Sequence, residues 1–196
     1  MKVLACVVSL ALAAPLATQA TSCGRFPRPG FDDADQFRVE GRYANSQYGY
    51  AVSLPVGRVG HDAPPPASNH GFGIVLSWTP RASIYVAANY EVADDDTLAK
   101  QEASHRQFTR QDAHRVLSTK SMAAQLGALP AARLIARYEC KGLRGLYITD
   151  EVVALSDDRS VVYTMALLTT VKRYRKDKAV FEEMVRSFVL PGELAP

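Results

Sequence analysis

The chain has 196 residues, with 23 Lys and Arg against 20 Asp and Glu and a net charge of +3. That length holds one domain with a sizeable core and leaves little room for a second. The near-balance of charge excludes a dedicated nucleic-acid binder, which would carry a basic stripe along one face.

Lys2 supplies one positive charge, Val3–Ala14 form an uncharged apolar run, and Pro15–Ala20 lead to a small-residue exit. This layout predicts a secretory signal peptide over residues 1–20, too short to span a bilayer. Its removal takes away Lys2 and Cys6 and places the rest of the chain outside the cytoplasm, where disulfides form. Residues 21–36 contain the stretch GRFPRPGFDDAD, rich in Pro, Gly and charge, and read as a tether. Three readings of Cys23 stay open. Ala20-Thr21-Ser22-Cys23 resembles a bacterial lipobox, which makes Cys23 a candidate for lipidation and membrane attachment. The position three before the cysteine is Ala20 and not the usual Leu. Alternatively Cys23 pairs with Cys140, or both thiols stay unpaired.

From residue 37 to 191 the pattern predicts a single α+β domain. Tyr48, Tyr50, Val52 and Leu54 alternate with small residues as a half-buried strand does, and Pro55 stops it. Val56–Gly71, with three consecutive prolines, reads as a long loop. Phe72–Trp78 and Ala82–Ala88 read as strands joined by Thr79-Pro80-Arg81. Thr97–Phe108 reads as a helix capped by Asp96, its thin apolar face made of Leu98, Ala99 and Ala103. Four strands follow: Val116–Gln125, a strand through Ala132, Leu134, Ala136 and Tyr138 with Arg133 and Arg137 outward, Leu146–Leu155 and Ser160–Thr170. Short turns between them imply an antiparallel meander. Lys172–Lys178 is the one basic cluster and reads as a solvated loop feeding a helix. In that helix Val180, Phe181, Met184, Val185 and Phe188 form one apolar stripe opposite Glu182, Glu183 and Arg186. The expected architecture is an antiparallel sheet of about six strands packed by helices.

Three segments resemble those of the PsbP/DcrB-like superfamily. Tyr48-Gly49-Tyr50-Ala51-Val52-Ser53-Leu54-Pro55 is similar to its opening GYSFSLP strand. Gly127-Ala128-Leu129-Pro130-Ala131-Ala132-Arg133 is similar to its GLPA-x-R turn. Val162-Tyr163-Thr164, Arg173-Tyr174, Asp177, Phe181-Glu182 and Ser187-Phe188 follow its closing block. The resemblance implies a sheet with helices packed against it and a non-enzymatic role, as in extrinsic photosystem subunits, envelope lipoproteins and chaperone-like binders. It brings no catalytic motif and no cofactor.

The residue inventory names no reaction. His61, Asp62 and His70 on the long loop offer imidazole and carboxylate, the donors of a zinc or copper site, but in loose spacing and without a fourth ligand. His105 and His114 are too far apart to share one turn of a helix, and Asp94-Asp95-Asp96 fits capping better than a calcium loop. No serine sits in Gly-x-Ser-x-Gly, and Cys140 has no histidine beside it in sequence. Trp78, with Tyr85 and Tyr90, is a candidate aromatic anchor. The expectation is an exported binding or accessory protein of the bacterial envelope. It recognises a protein partner, immunity- or chaperone-like, through a surface that includes His61, Asp62, His70 and Trp78. The alternatives are a small metal-dependent or hydrolytic periplasmic enzyme built on the loop 56–71, and a structural envelope lipoprotein held by Cys23.

Overall fold

The turn after Leu126 sets the plan of the C-terminal half. Gly127, at φ 58°, takes the first position of a two-residue hairpin turn, where a positive φ is required. The computed structural model describes residues 38–62, 70–90, 97–141 and 143–190. Its strands are β1 (Arg38–Glu40), β2 (Arg42–Asn45), β3 (Tyr50–Ser53), β4 (Val59–Asp62), β5 (Gly71–Trp78), β6 (Arg81–Tyr90), β7 (Ala113–Leu126), β8 (Leu129–Cys140), β9 (Leu146–Leu155) and β10 (Val161–Thr170). Its helices are α1 (Leu98–Asp112) and α2 (Tyr174–Arg186).

Eight strands form one antiparallel sheet in the order β1-β4-β5-β6-β10-β9-β8-β7, and β2–β3 form a separate ribbon. After β6 the chain passes through α1 to the far edge, then walks back hairpin by hairpin until β10 pairs with β6. The β9–β10 turn is tied by Asp158, whose carboxylate accepts from the Ser156 hydroxyl and from the Ser160 N–H and hydroxyl. These bonds, that of Ser156 foremost, pull its pKa down to about 2.

One face carries the main core. Phe72, Ile84, Met165 and Val152 from the sheet meet Phe181 and Met184 of α2, with Tyr50 and Val52 of the β2–β3 ribbon and Phe188 closing one end. Each of these large side chains contributes on the order of 2 kcal/mol by leaving water. The opposite face gathers Ala113, Ala136, Tyr138, Cys140, Tyr147 and Leu168, and α1 packs against β7, β8 and β9. With a helix on each side, β9 is buried along both faces from Tyr147 to Ala154, so it does not alternate. Close approach at one point needs glycine: a Cβ on Gly71 would strike the Val86 carbonyl oxygen and lie 2.7 Å from the Ala87 Cα.

Antiparallel α+β architecture and the terminal meander agree with the sequence; several details do not. The sheet has eight strands and not about six, because short strands β1 and β4 extend its other edge. Val59–Asp62, expected in a loop, is β4, held between β1 and β5 by backbone pairing that a periodicity of side chains does not reveal. The N-cap of α1 is Thr97, whose Oγ1 accepts from the Lys100 N–H at 3.3 Å; Asp96 lies outside the described residues. The buried face of α1 is also different, being Gln101, His105 and Thr109, while Ala99 and Ala103 are exposed. The signal segment, the tether with Cys23, and Asp94–Asp96 all lie outside the described residues.

Candidate functional site

Of the four residues expected to form one recognition surface, His61, Asp62 and His70 lie about the start of β5, and Trp78 stands apart from them at its end. His61 lies on β4, opposite Arg38 on one side and Gly73 on the other, and Asp62 pairs in register with Phe72. Both are thus on a strand. His70 sits just before β5, whereas Trp78 ends the same strand, roughly 25 Å away at the rise of an extended chain. Trp78 is 42% exposed and Tyr90 54% exposed, at opposite ends of the β5–β6 hairpin. The aromatic patch of Trp78, Tyr85 and Tyr90 is therefore also divided, and none of the three belongs to the core, Tyr85 being half-buried on β6.

His70 is the hub of a polar and aromatic cluster. Its Nδ1 lies 3.1 Å from the Ala88 carbonyl oxygen, 3.0 Å from Asn89 Oδ1 and 3.0 Å from the Tyr48 hydroxyl. A carbonyl only accepts, so in the contact with Ala88 it is His70 Nδ1 that donates. Tyr50 donates to the His70 carbonyl oxygen at 3.2 Å, Tyr163 to that of Tyr48 at 2.8 Å, and Tyr90 to that of Gln47 at 3.1 Å. The Tyr48 ring meets Tyr90 at 4.7 Å between centroids. Burial, with Tyr90 as neighbour, raises the Tyr48 phenol above its ordinary value, and burial does the same for Tyr163. These hydroxyl contacts tie the β2–β3 ribbon to the sheet.

A second cluster uses the charged residues between sheet and α2. Arg133 is 14% exposed and forks onto the fully buried Asp150, Nε at 2.6 Å and the guanidinium NH2 at 2.7 Å. It also reaches Glu182 at 2.8 Å, and Tyr174 donates to Asp150 at 2.7 Å. The bond to Asp150, and Glu182 after it, outweigh burial and hold the Arg133 guanidinium more firmly charged than usual. Burial, then the bond to Asp150, raise the Tyr174 phenol. Nearby, Asp177 accepts from Thr169 at 2.5 Å and from two Arg173 nitrogens at 3.0 Å. The basic segment is thus mostly helix and not a loop, since α2 begins at Tyr174, while Lys172, Arg175 and Lys176 on it are exposed to water as expected. Arg133 does not point outward to water, because α2 covers the face it lies on.

A third feature is at the opposite end of the sheet. A groove of about 480 Å³ is lined by His114, Glu139, Cys140, Lys141, Leu143, Gly145 and Leu146. Lys141 donates to the Gln111 carbonyl oxygen at 2.5 Å, and Arg115 to Glu139 at 2.6 Å. Cys140 is 5% exposed and disulfide-bonded. Among the described residues no three His, Cys, Asp or Glu side chains gather to hold a metal ion. Also among them, no helix is long and apolar enough to cross a membrane.

No family model and no curated protein matches the sequence. Solved structures do match. Cyanobacterial PsbP (CyanoP) from Synechocystis superposes with a TM-score of 0.53 at 16% identity, over 87% of this chain and 98% of that one. LpqN of Mycobacterium tuberculosis, described as involved in cell envelope biogenesis, gives 0.52 at 14% identity, over 78% and 91%. A protein of Bacteroides thetaiotaomicron gives 0.53 at 10% identity, over 80% of this chain and 51% of that one. The chain has a PsbP-like fold.

Within this PsbP-like fold the motif residues have visible mechanical tasks. Gly127 turns the β7–β8 hairpin, Arg133 and Glu182 join β8 to α2, and Arg173 and Asp177 join the start of α2 to Thr169 of β10. Tyr48 and Tyr50 dock the ribbon. The segments that resemble the superfamily are those that assemble its layers.

Proposed function

We propose that this chain is an exported, non-enzymatic binding or accessory protein of the bacterial cell envelope that recognises a protein partner. The observation that carries the reading is where its reactive groups are used. Arg133, Asp150, Glu182, Arg173 and Asp177 pair with one another in the joint between α2 and the sheet, and around His70 the hydroxyls of Tyr50, Tyr90 and Tyr163 donate to backbone carbonyls. Chemistry needs such groups aimed at a substrate; here they are spent on assembly. The envelope setting draws on the signal-like N-terminus and on the PsbP-like fold shared with CyanoP and LpqN.

Trp78 is the anchor we assign to the partner. It stands exposed at the tip of the β5–β6 hairpin, and tryptophan is the side chain that most often concentrates binding energy at an interface. The test is a crosslinked pull-down of the tagged mature protein from its native envelope, beside Trp78→Ala. One near-stoichiometric partner, retained by the wild type and weakened at least tenfold by Trp78→Ala with the fold intact, is the expected result. A chelator-sensitive or hydrolytic activity lost on His70→Ala would overturn it, and so would the absence of any partner.

A further inference from the structure

We propose that the mature protein carries a Cys23–Cys140 disulfide, and that Cys23 is consequently not a lipid anchor. The inference rests on the export reading, because it needs an oxidising compartment. Cys140 ends β8 opposite Ala113, buried among Tyr138, Tyr147 and Leu168, and it is disulfide-bonded. The chain has three cysteines, and the other two are Cys6 and Cys23. Cys6 lies within the apolar run Val3–Ala14 and leaves with the signal segment, so Cys23 is the one partner that a processed chain retains.

The chemistry excludes acylation directly. Lipoprotein maturation converts the cysteine sulfur to a thioether, which has no thiol left to oxidise. In the bridge, the Cys23 and Cys140 thiols together give up two protons and two electrons. An envelope oxidoreductase takes them into its own disulfide through a mixed disulfide and leaves as a dithiol. The bridge closes a loop of more than a hundred residues, so it ties the tether to the β7–β8 end of the sheet and removes much of the unfolded chain's freedom.

Protein purified from its native envelope, alkylated without reduction, is measured by intact mass and peptide mapping. The expected species lacks residues 1–20, weighs two hydrogens less than the reduced chain, takes up no alkylating agent, and yields a Cys23–Cys140 peptide that dithiothreitol separates. Cys140→Ser should leave one alkylatable thiol and lower Tm by roughly 5–15 °C. A diacylglyceryl mass on Cys23, or two thiols alkylated before reduction, overturns the bridge while leaving export intact. A chain that still carries residues 1–20 with a Cys6–Cys140 peptide overturns the bridge and the export reading together.

Discussion

Arg133 sits where two demands meet, since a guanidinium is costly to bury and a strand facing a helix must bury something. It satisfies both by forking onto Asp150, touching Glu182 and lying 5.8 Å from the Phe181 ring centroid. Removing one member of such a set leaves the other charged and buried. Arg133→Met is therefore expected to cost about 3–5 kcal/mol in urea unfolding. The double variant Arg133→Met with Asp150→Leu should recover part of that loss, and equal stabilities for wild type and Arg133→Met would refute the account. This residue also marks how far alternation can be read. Ala132, Leu134, Ala136 and Tyr138 were legible as one buried row, and they are. That Arg133 on the opposite row is covered as well, while Arg137 is exposed as its alternation predicts, depends on α2, some forty residues later, which a two-residue period cannot report. The recognition surface was less legible still: His70 and Trp78 are eight residues apart in sequence, but an extended strand turns that closeness into separation.

At the scale of elements, α2 and α1 bury their faces by different means. Phe181, Met184 and Val185 make α2 visible as a stripe, so its position was readable. The face of α1 is Gln101, His105 and Thr109, which no hydrophobic period would find. What holds it is His105 Nδ1 at 2.7 Å from Glu151 Oε1, both side chains about nine-tenths buried. Burial alone would lower the His105 pKa, but the charge of Glu151 and the bond to it reverse the sign, and the net shift is upward from 6.5. A raised folded-state value gives a stabilisation that is fully present below about 6.5 and disappears as pH climbs through the folded value. Urea midpoints of the wild type should therefore fall as pH rises from 6 towards 9, and His105→Gln should flatten that slope while lowering stability at pH 6. Parallel slopes for the two proteins would remove the ion pair as the cause. Arg106 and Glu102, one turn away on α1, pair with each other and bias both proteins alike.

For the whole molecule the seam between β6 and β10 decides cooperativity. The strands β1, β4, β5 and β6 are joined to the meander of β7, β8, β9 and β10 along this one pairing within the sheet, from Ser83↔Leu168 to Tyr90↔Val161. Hairpins of the meander close short loops, whereas the seam joins residues separated by the whole of α1 and three strands, so its ordering entropy is larger. The seam is compensated on its core face by Ile84, Val86, Met165 and Leu167, none more than 1% exposed, and by α2 packed across it. Leu167→Ala removes the side chain beside Ile84 and is expected to cost about 2–5 kcal/mol. Because Trp78 is the single tryptophan and lies on β5, its fluorescence reports one side of the seam, while far-UV circular dichroism is dominated by the long strands and helices of the other. In one cooperative domain both signals shift to the same lower urea midpoint in Leu167→Ala. If Trp78 unfolded at its own midpoint while the circular dichroism transition stayed at the wild-type value, the β6–β10 pairing would be a boundary between two units and not the middle of one core.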